Sequence, residues 1–430
     1  MTKQVTEREL VLAILMEVTQ QNVYSHLALN AVLEKYQYLE KKERAFITRV
    51  TEGTLEHMIE LDYILNQFSK VKVNKMKPVI RNILRSAVYQ LKYMDSVPDS
   101  AVCNEAVKLA VKKGFGTLRG FVNGVLRNVA RGLDQVEYPT EGIERLSVVY
   151  SMPEWILKLW KKTYDLDVIE SMLQAFQEET PVTIRCNLAK TTPENLKESL
   201  QKEGVTVTPH PYLSYAFWIQ DYDHLSELES FQKGEFYVQD ISSMLVGELA
   251  DPKKGDRVID VCAAPGGKSV YAARMIGEQG HVEARDLTEY KVEMIEENID
   301  RCRLSNMTAK VWDARVFDEA AREKADVVIA DLPCSGLGVI GTKTDIKYNA
   351  SEEKIAELAA LQQKILHVVC GYVKPDGTLL YSTCTMTREE NEDNVQKFLE
   401  THAGFELEQM RQYFPYEGCD GFFMAKMHRR

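Results

Sequence analysis

Two of the eight cysteines in this 430-residue chain stand in motifs built for more than packing: Asp331-Leu332-Pro333-Cys334-Ser335 and Ser382-Thr383-Cys384-Thr385. A thiolate is the reactive form of cysteine, and a free thiol of pKa about 8.5 is mostly protonated at neutral pH. A cysteine that attacks carbon therefore needs a polar, electropositive setting. Lys268 is the candidate neighbour. Alone, either cysteine would read as a small buried hydrophobe. The polar residues around them change that reading, and from the residues alone either sulfur could be the one that attacks.

These groups need elements to hold them. Lys268 belongs to Asp260-Val261-Cys262-Ala263-Ala264-Pro265-Gly266-Gly267-Lys268-Ser269, which follows the β-branched segment Arg257-Val258-Ile259 and precedes a helical pattern, Tyr271 to Ile276. Strand, glycine turn and helix form the shape of a nucleotide-type cofactor site. The glycines let the backbone turn sharply and approach a ligand, and the helix start offers free N–H groups. The spacing is not that of a dinucleotide fingerprint. Asp286 follows the next strand-like segment and lies about 20 residues past the glycines, where an acid suits ribose hydroxyls. Asp313, Asp331 and Thr383-Cys384 follow three further segments. In a parallel sheet all these strand ends lie on one edge, where ligands bind.

Asp-Val-Cys-Ala-Ala-Pro-Gly-Gly-Lys (260–268), Asp-Leu-Pro-Cys-Ser (331–335) and Ser-Thr-Cys-Thr (382–385) resemble, in this order, three signatures of S-adenosylmethionine-dependent RNA cytosine-5 methyltransferases. The resemblance implies that Cys262, Ala263, Ala264, Pro265, Gly266, Gly267 and Lys268 surround the methionine end of the cofactor. Asp286 then takes the ribose, Asp313 the adenine side, and Asp331 borders both cofactor and base. It implies Cys384 as the nucleophile toward cytosine C6 and Cys334 as the group that helps to release the methylated product. Asp331 would hold the N3/N4 edge of the base as charge builds. Arg285 stands before Asp286, where an apolar residue would be commoner. The target base must leave its stack, as enzymes acting on base atoms require.

Composition excludes several classes. The chain is 45% apolar and 27% charged, ordinary for a globular protein. No apolar run reaches the length of a membrane span, and the start has no signal-peptide core, so a cytoplasmic protein is expected. The cysteines lie at 103, 186, 262, 302, 334, 370, 384 and 419 without a C-x-x-C pair, so neither a zinc site nor a disulfide scaffold is expected. Net charge is −11, yet residues 1–140 hold 20 Lys+Arg against 15 Asp+Glu, and the remainder 33 against 49. A basic front on an acidic body suggests that the front meets a polyanion.

Residues 1–135 read as all helix. Thr6-x-x-Glu9 is a capping box, Glu43 to Phe68 carries a long pattern broken once, and Pro78 suits a helix start. Arg81-Asn82-Ile83-Leu84-Arg85-Ser86-Ala87, Asn104-Glu105-Ala106-Val107 and Phe121-Val122-Asn123-Gly124-Val125-Leu126-Arg127 resemble the NusB-type RNA-binding bundle. Residues 136–150 read as a linker. Residues 151–235 read as a small α+β module of split β-α-β type, which in the resembling family helps to hold RNA; Arg185 and Asn187 match its pattern, with a structural role equally open. Residues 236–430 read as a Rossmann-like α/β methyltransferase domain that ends in an antiparallel hairpin. Gln239 and Asp240 match the family and either line the active cleft or pin the entry strand; the second is expected. Gly336 to Asn349, with Lys343 and Lys347, reads as a lid that touches RNA. The whole chain is similar to the RsmB (Sun) branch of 16S ribosomal RNA cytosine-5 methyltransferases. That implies a monomeric enzyme with S-adenosylmethionine as cofactor, small-subunit ribosomal RNA as partner, and no metal or membrane. The rivals are a transfer-RNA cytosine-5 methyltransferase and a non-catalytic RNA-binding or antitermination factor; intact Asp331, Cys334 and Cys384 argue against the latter.

Overall fold

The computed structural model describes residues 5–178 and 181–430. Two compact units are present, Met1–Gln177 with Ile340–Ala350, and Glu178–Val339 with Ser351–Arg430.

The first unit is helical. Its chain runs through Glu7–Gln21, Ser25–Lys35, Lys41–Glu56, Met58–Phe68, Pro78–Tyr93, Asp99–Lys112 and Arg119–Gly132. Thr6 and Glu9 form the expected capping box, and the long pattern breaks at His57. Ile14, Leu15, Ile47, Val50, Leu61, Ile64, Leu84 and Val88 form a shared core. Polar residues of the Arg81–Ala87 motif lock the helices from within. Arg85 donates to both carboxylate oxygens of Asp62 at 2.7 and 2.5 Å, and Asn82 donates to Thr19 Oγ1 at 2.9 Å.

Two stretches differ from their reading in the sequence. Residues 136–150 contain a helix, Gly142–Val149, with Leu146 and Val148 buried. Ahead of it, the Glu137 carbonyl accepts from Tyr63 and Gln67, and Tyr138 donates to Glu60 at 2.8 Å. The second stretch is Ile340–Ala350, which packs into the helical unit rather than forming an open lid. Asp345 is fully buried and accepts from Ser25 N at 3.0 Å and Ser25 Oγ at 2.6 Å. Lys347 is 3% exposed and donates to the Glu56 carbonyl at 2.8 Å. Burial lowers its pKa to about 7, with Glu56 acting against that. Lys347 therefore has no surface to offer RNA. The hydrogen bonds that hold it have sequence separations near 300, which no local pattern reveals.

The second unit holds two sheets. The small sheet contains β1 (Val182–Cys186), β2 (Thr206–Pro209), β3 (Ala216–Gln220) and β4 (Phe236–Val238), all antiparallel in the order β2-β3-β1-β4. The helix Pro193–Lys202, capped by Thr192, closes its core over Ile184, Phe217 and Phe236.

The large sheet contains β5 (Arg257–Asp260), β6 (His281–Asp286), β7 (Met307–Val311), β8 (Ala325–Asp331), β9 (Val373–Thr383), β10 (Phe405–Tyr413) and β11 (Phe422–Arg429). Its order is β10-β11-β9-β8-β5-β6-β7, with β5 to β9 parallel and β10 and β11 antiparallel. Alternate residues of each buried strand face opposite helical layers. Val258, Val282 and Ile329 share a core with Met244, Ala272 and Ile295; Ile259, Val328 and Leu379 share one with Leu366, Val395 and Phe398. Burial on both faces is why these strands read as continuous apolar runs.

Candidate active site

From β5 the chain steps outward through β6 and β7, then returns to the other side of β5 with β8 and β9. The strand order thus reverses between β5 and β8. Open α/β sheets bind ligands at the carboxyl ends of the strands flanking such a point. Here those ends are Asp260 and Asp331, with Asp286 and Thr383 closing the neighbouring strands.

After β5 the chain turns at Gly266, whose φ of +103° lies in the left-handed region, and enters the helix Gly267–Ile276. That turn swings Lys268 back over the sheet edge, where its Nζ lies 2.7 Å from Asp331 Oδ2. Ser382 donates to the other Asp331 oxygen at 2.8 Å. Burial works against the Lys268 charge, but Asp331, with help from Asp260 and Cys384, holds its pKa above the ordinary value. Cys334 and Cys384 meet at this pair, their sulfurs 3.2 Å apart. A hydrogen bond to Cys384, then burial and the charge of Glu390, raise the Cys334 thiol well above its usual pKa.

Both cysteine loops are pinned from behind by one short segment. Glu390 is fully buried; its Oε1 accepts from Ser335 N at 2.8 Å and Gln362 Nε2 at 3.1 Å, and its Oε2 from Ser335 Oγ at 2.5 Å and Thr387 Oγ1 at 2.7 Å. Asn391 accepts from Thr383 Oγ1 at 2.6 Å and donates to the Thr385 carbonyl at 3.0 Å, which brackets Cys384. Gly338 N donates to the Cys384 carbonyl at 3.0 Å, and a Cβ there would stand 1.7 Å from the Gly421 oxygen, so only glycine lets the two loops approach. Sequence reading missed Glu390 and Asn391, because Glu389-Glu390-Asn391-Glu392-Asp393 reads as the solvated acidic start of a helix.

The remaining candidates lie around the glycine turn. Asp286, 4% exposed, accepts from Ala264 N at 3.0 Å and Leu287 N at 2.7 Å, with Lys291 at 3.1 Å. Arg285, the unexpected residue before it, is 1% exposed. Its Nε donates to Glu283 at 2.6 Å and its Nη2 to Asp318 at 3.0 Å, while the rings of Trp312 and Tyr372 lie 5.4 and 5.2 Å from its guanidinium carbon. Paired acids on Nε and Nη2 and the two aromatic faces thus balance this cation in the interior, while its Nη1 has no hydrogen-bond partner. Asp313 stands apart from the cysteine cluster, and its carboxylate is held by Arg315 at 2.6–3.1 Å.

Asp260 is fully buried, takes a hydrogen bond from Ser269 at 2.6 Å, and leaves its second oxygen without a partner. Burial raises its pKa to about 7, with Asp331 adding to the rise and Ser269 and Lys268 acting against it. Burial also raises the Cys262 thiol, helped by Asp286, Asp260 and Asp331. Asp240 caps the helix Ile241–Ala250, accepting from Ser242 N at 2.8 Å. Gln239 donates its backbone N–H to Thr183, but its side-chain amide reaches the glycine turn and has no hydrogen-bond partner. Among the described residues no group of three or more His, Cys, Asp or Glu side chains is placed to hold a metal, and no helix is long and apolar enough to cross a membrane.

A seven-stranded sheet with an antiparallel edge and a glycine turn at its switch point is the Rossmann-like architecture of the S-adenosylmethionine-dependent methyltransferases. The family profile described as 16S rRNA methyltransferase RsmB/F matches residues 248–428, the NusB family profile residues 5–131, and the RsmF/B-like ferredoxin-like profile residues 152–222. The chain is 35% identical, over its whole length and that of the relative, to the probable ribosomal RNA small subunit methyltransferase B of Bacillus subtilis. It is 30% identical to the ribosomal RNA small subunit methyltransferase B of Proteus mirabilis, across 94% of this chain and 95% of the relative. The chain belongs to the RsmB family and carries that family's NusB-like N-terminal region. The crystal structure of PH0851 shares its fold at a TM-score of 0.82, with 24% identity over 99% of each chain. That of NSun6 from Pyrococcus horikoshii reaches 0.59 over 64% of this chain and 98% of that one, at 23% identity.

Proposed function

We propose that this protein methylates C5 of a cytosine in small-subunit ribosomal RNA, acting as a cytoplasmic monomer through a covalent cysteine adduct. The observation that carries this reading is the meeting of two thiols, 3.2 Å apart, beside the Lys268–Asp331 pair. An enzyme that only oriented a preformed nucleophile would need neither sulfur.

S-adenosylmethionine supplies the methyl group as an electrophile. The residues present fit it. Gly267 and Lys268 bring backbone N–H groups to the helix start, which suits a carboxylate. The buried Gln239 amide beside Gly267 lacks a partner in the protein. Cys262 to Lys268 would hold the methionine end, Asp286 the ribose, and Asp313 the adenine side, with Asp331 at the border with the base.

Cytosine C5 is a weak nucleophile until a thiolate adds to C6. In this reading Cys384 makes that bond, and the electron pair displaced from the C5–C6 double bond makes C5 nucleophilic. Lys268 places a cation beside Asp331 and Cys384, where negative charge must develop. Asp331, fixed by Lys268 and Ser382, holds the amino edge of the base. After methyl transfer the C5 proton leaves, the double bond reforms, and the C6–sulfur bond breaks with its electron pair returning to Cys384. Cys334, its sulfur 3.2 Å from that of Cys384, lies beside the same base and suits the group that takes the C5 proton.

Bisulfite mapping of small-subunit ribosomal RNA from a deletion strain, with and without the gene restored, tests this. One cytosine protected only when the gene is present is expected. A difference confined to transfer RNA, or none, would overturn the assignment.

A further inference from the structure

A cavity of about 460 Å³ lies beside the helix that carries Lys268. Its walls include Arg185 and Asn187 from the end of β1, Tyr215, Tyr237 on β4, and Tyr271 and Arg274 on the helix Gly267–Ile276. The volume falls in the range of small-ligand sites. Nothing in the methyl-transfer chemistry uses it.

Arg185 is the unusual member. It is 3% exposed, and none of the described carboxylates forms a salt bridge with it. Its guanidinium carbon lies 4.4 Å from the Tyr271 ring centre and 4.9 Å from that of Tyr237, and its Nη1 has no hydrogen-bond partner. Arg274 is similar in part: one nitrogen donates to the Cys302 carbonyl at 2.6 Å, while its Nε is buried without a partner. A buried guanidinium with no counter-charge is costly, and an acceptor-rich ligand in the cavity that it lines relieves that cost. At the rim Glu248 accepts from Tyr215 at 2.5 Å and from Tyr271, which ties the two rings in place. A buried guanidinium in the wall with no carboxylate partner, aromatic rings beside it and an acceptor at the rim suit a nucleotide better than a bare anion.

The position also fits. Lys268, Tyr271 and Met275 stand at i, i+3 and i+7, hence on one helix face. The cavity therefore begins about one turn, roughly 5 Å, along the helix from Lys268. β4 measures the same gap: Tyr237 lines the cavity, and Gln239, about 7 Å further on, reaches the glycine turn. One nucleotide of an unstacked strand spans such a distance.

We infer that this cavity receives a nucleotide of the RNA strand next to the target cytosine, with an acceptor of that nucleotide on Arg185 and its base against the tyrosine rings. The inference rests on the RNA-methyltransferase reading. The test uses the full chain as native protein, Arg185→Met, and Ala189→Trp, which places a bulky ring at the cavity wall from an exposed turn position. The probe is an unmodified small-subunit ribosomal RNA transcript. KM for RNA and kcat are measured by methyl transfer, S-adenosylmethionine affinity by calorimetry, and the thermal midpoint by circular dichroism. Both variants should raise KM for RNA tenfold or more and keep cofactor affinity within twofold, and Ala189→Trp should keep the native midpoint. If Ala189→Trp keeps the native KM for RNA, the inference is overturned whatever Arg185→Met does, since the arginine is then a packing element only. The methylase reading survives that result. If the native protein methylates no ribosomal RNA, that reading fails first and takes the inference with it.

Discussion

Glu390 touches neither sulfur directly, yet the geometry makes it the post on which the Cys334 loop hangs. Consider Glu390→Ala. Four donors lose their acceptor, but they are not equal. The Ser335 hydroxyl still has Thr385 Oγ1 at 2.8 Å, and the Thr387 hydroxyl can rotate. The Gln362 amide keeps the Pro333 carbonyl at 2.9 Å, whereas the Ser335 backbone N–H has no substitute. One buried donor left unsatisfied puts the loss at about 1–3 kcal/mol. Glu390→Gln should behave differently. Its remaining carbonyl oxygen can still face Ser335 N and Gln362, and its new amide can donate to the two hydroxyls. It also removes a buried carboxylate whose pKa is raised by that burial, so its cost should stay below about 1 kcal/mol. Urea unfolding followed by circular dichroism measures both. In turnover, Glu390→Ala should be slow with cofactor affinity retained, because the Cys334 loop has lost its anchor. A Gln variant as unstable as the Ala variant, or an Ala variant as stable as native, would refute the reasoning.

Further expectations follow from single residues. Asp260 has a folded pKa of about 7 against an ordinary 3.8, so the folded state binds the extra proton between those values. Its contribution to stability is full below about pH 3.8 and is lost progressively up to about pH 7, and Asp260→Asn should flatten that part of the native stability profile; parallel profiles would contradict this. Asp286→Ala should weaken S-adenosylmethionine binding by roughly tenfold or more, since hydrogen bonds to a charged group are worth about 1.5–3 kcal/mol; an unchanged dissociation constant in calorimetry would mean another acid holds the ribose. Ser25→Ala removes a 2.6 Å donor from the buried Asp345 carboxylate and should cost about 1.5–3 kcal/mol in urea unfolding. No loss there would mean that Asp345 finds its partners elsewhere.

What the sequence discloses depends on the range of the interaction. The glycine turn, the capping box, the break near His57 and the hairpin at the C-terminal end are written within a few residues, so periodicity and turn chemistry reveal them. Strand ends carrying Asp260, Asp286, Asp331 and Cys384 become one edge once the strands are taken as parallel. Glu390 is not legible in this way. It serves Ser335, 55 residues away, and its neighbours are acids and an asparagine typical of an exposed helix start. Lys347 reads as a basic loop residue because its acceptor, the Glu56 carbonyl, is 291 positions distant. Arg285 looks out of register until Glu283, Asp318 and two rings surround it. Local chemistry gives the motif, while the partners that fix its geometry come from parts of the chain that no window of sequence joins.

The central claim is that Cys384 and Cys334 divide one covalent cycle between them. Loss of turnover cannot test it, since both alanine variants should turn over poorly. The direct measurement is a denaturing gel with labelled small-subunit ribosomal RNA and S-adenosylmethionine. Cys334→Ala retains the attacking sulfur and should stall as a slow-migrating protein–RNA band. Cys384→Ala lacks that sulfur and should give none. A band with Cys384→Ala and none with Cys334→Ala would place the nucleophile after Pro333 and contradict the account.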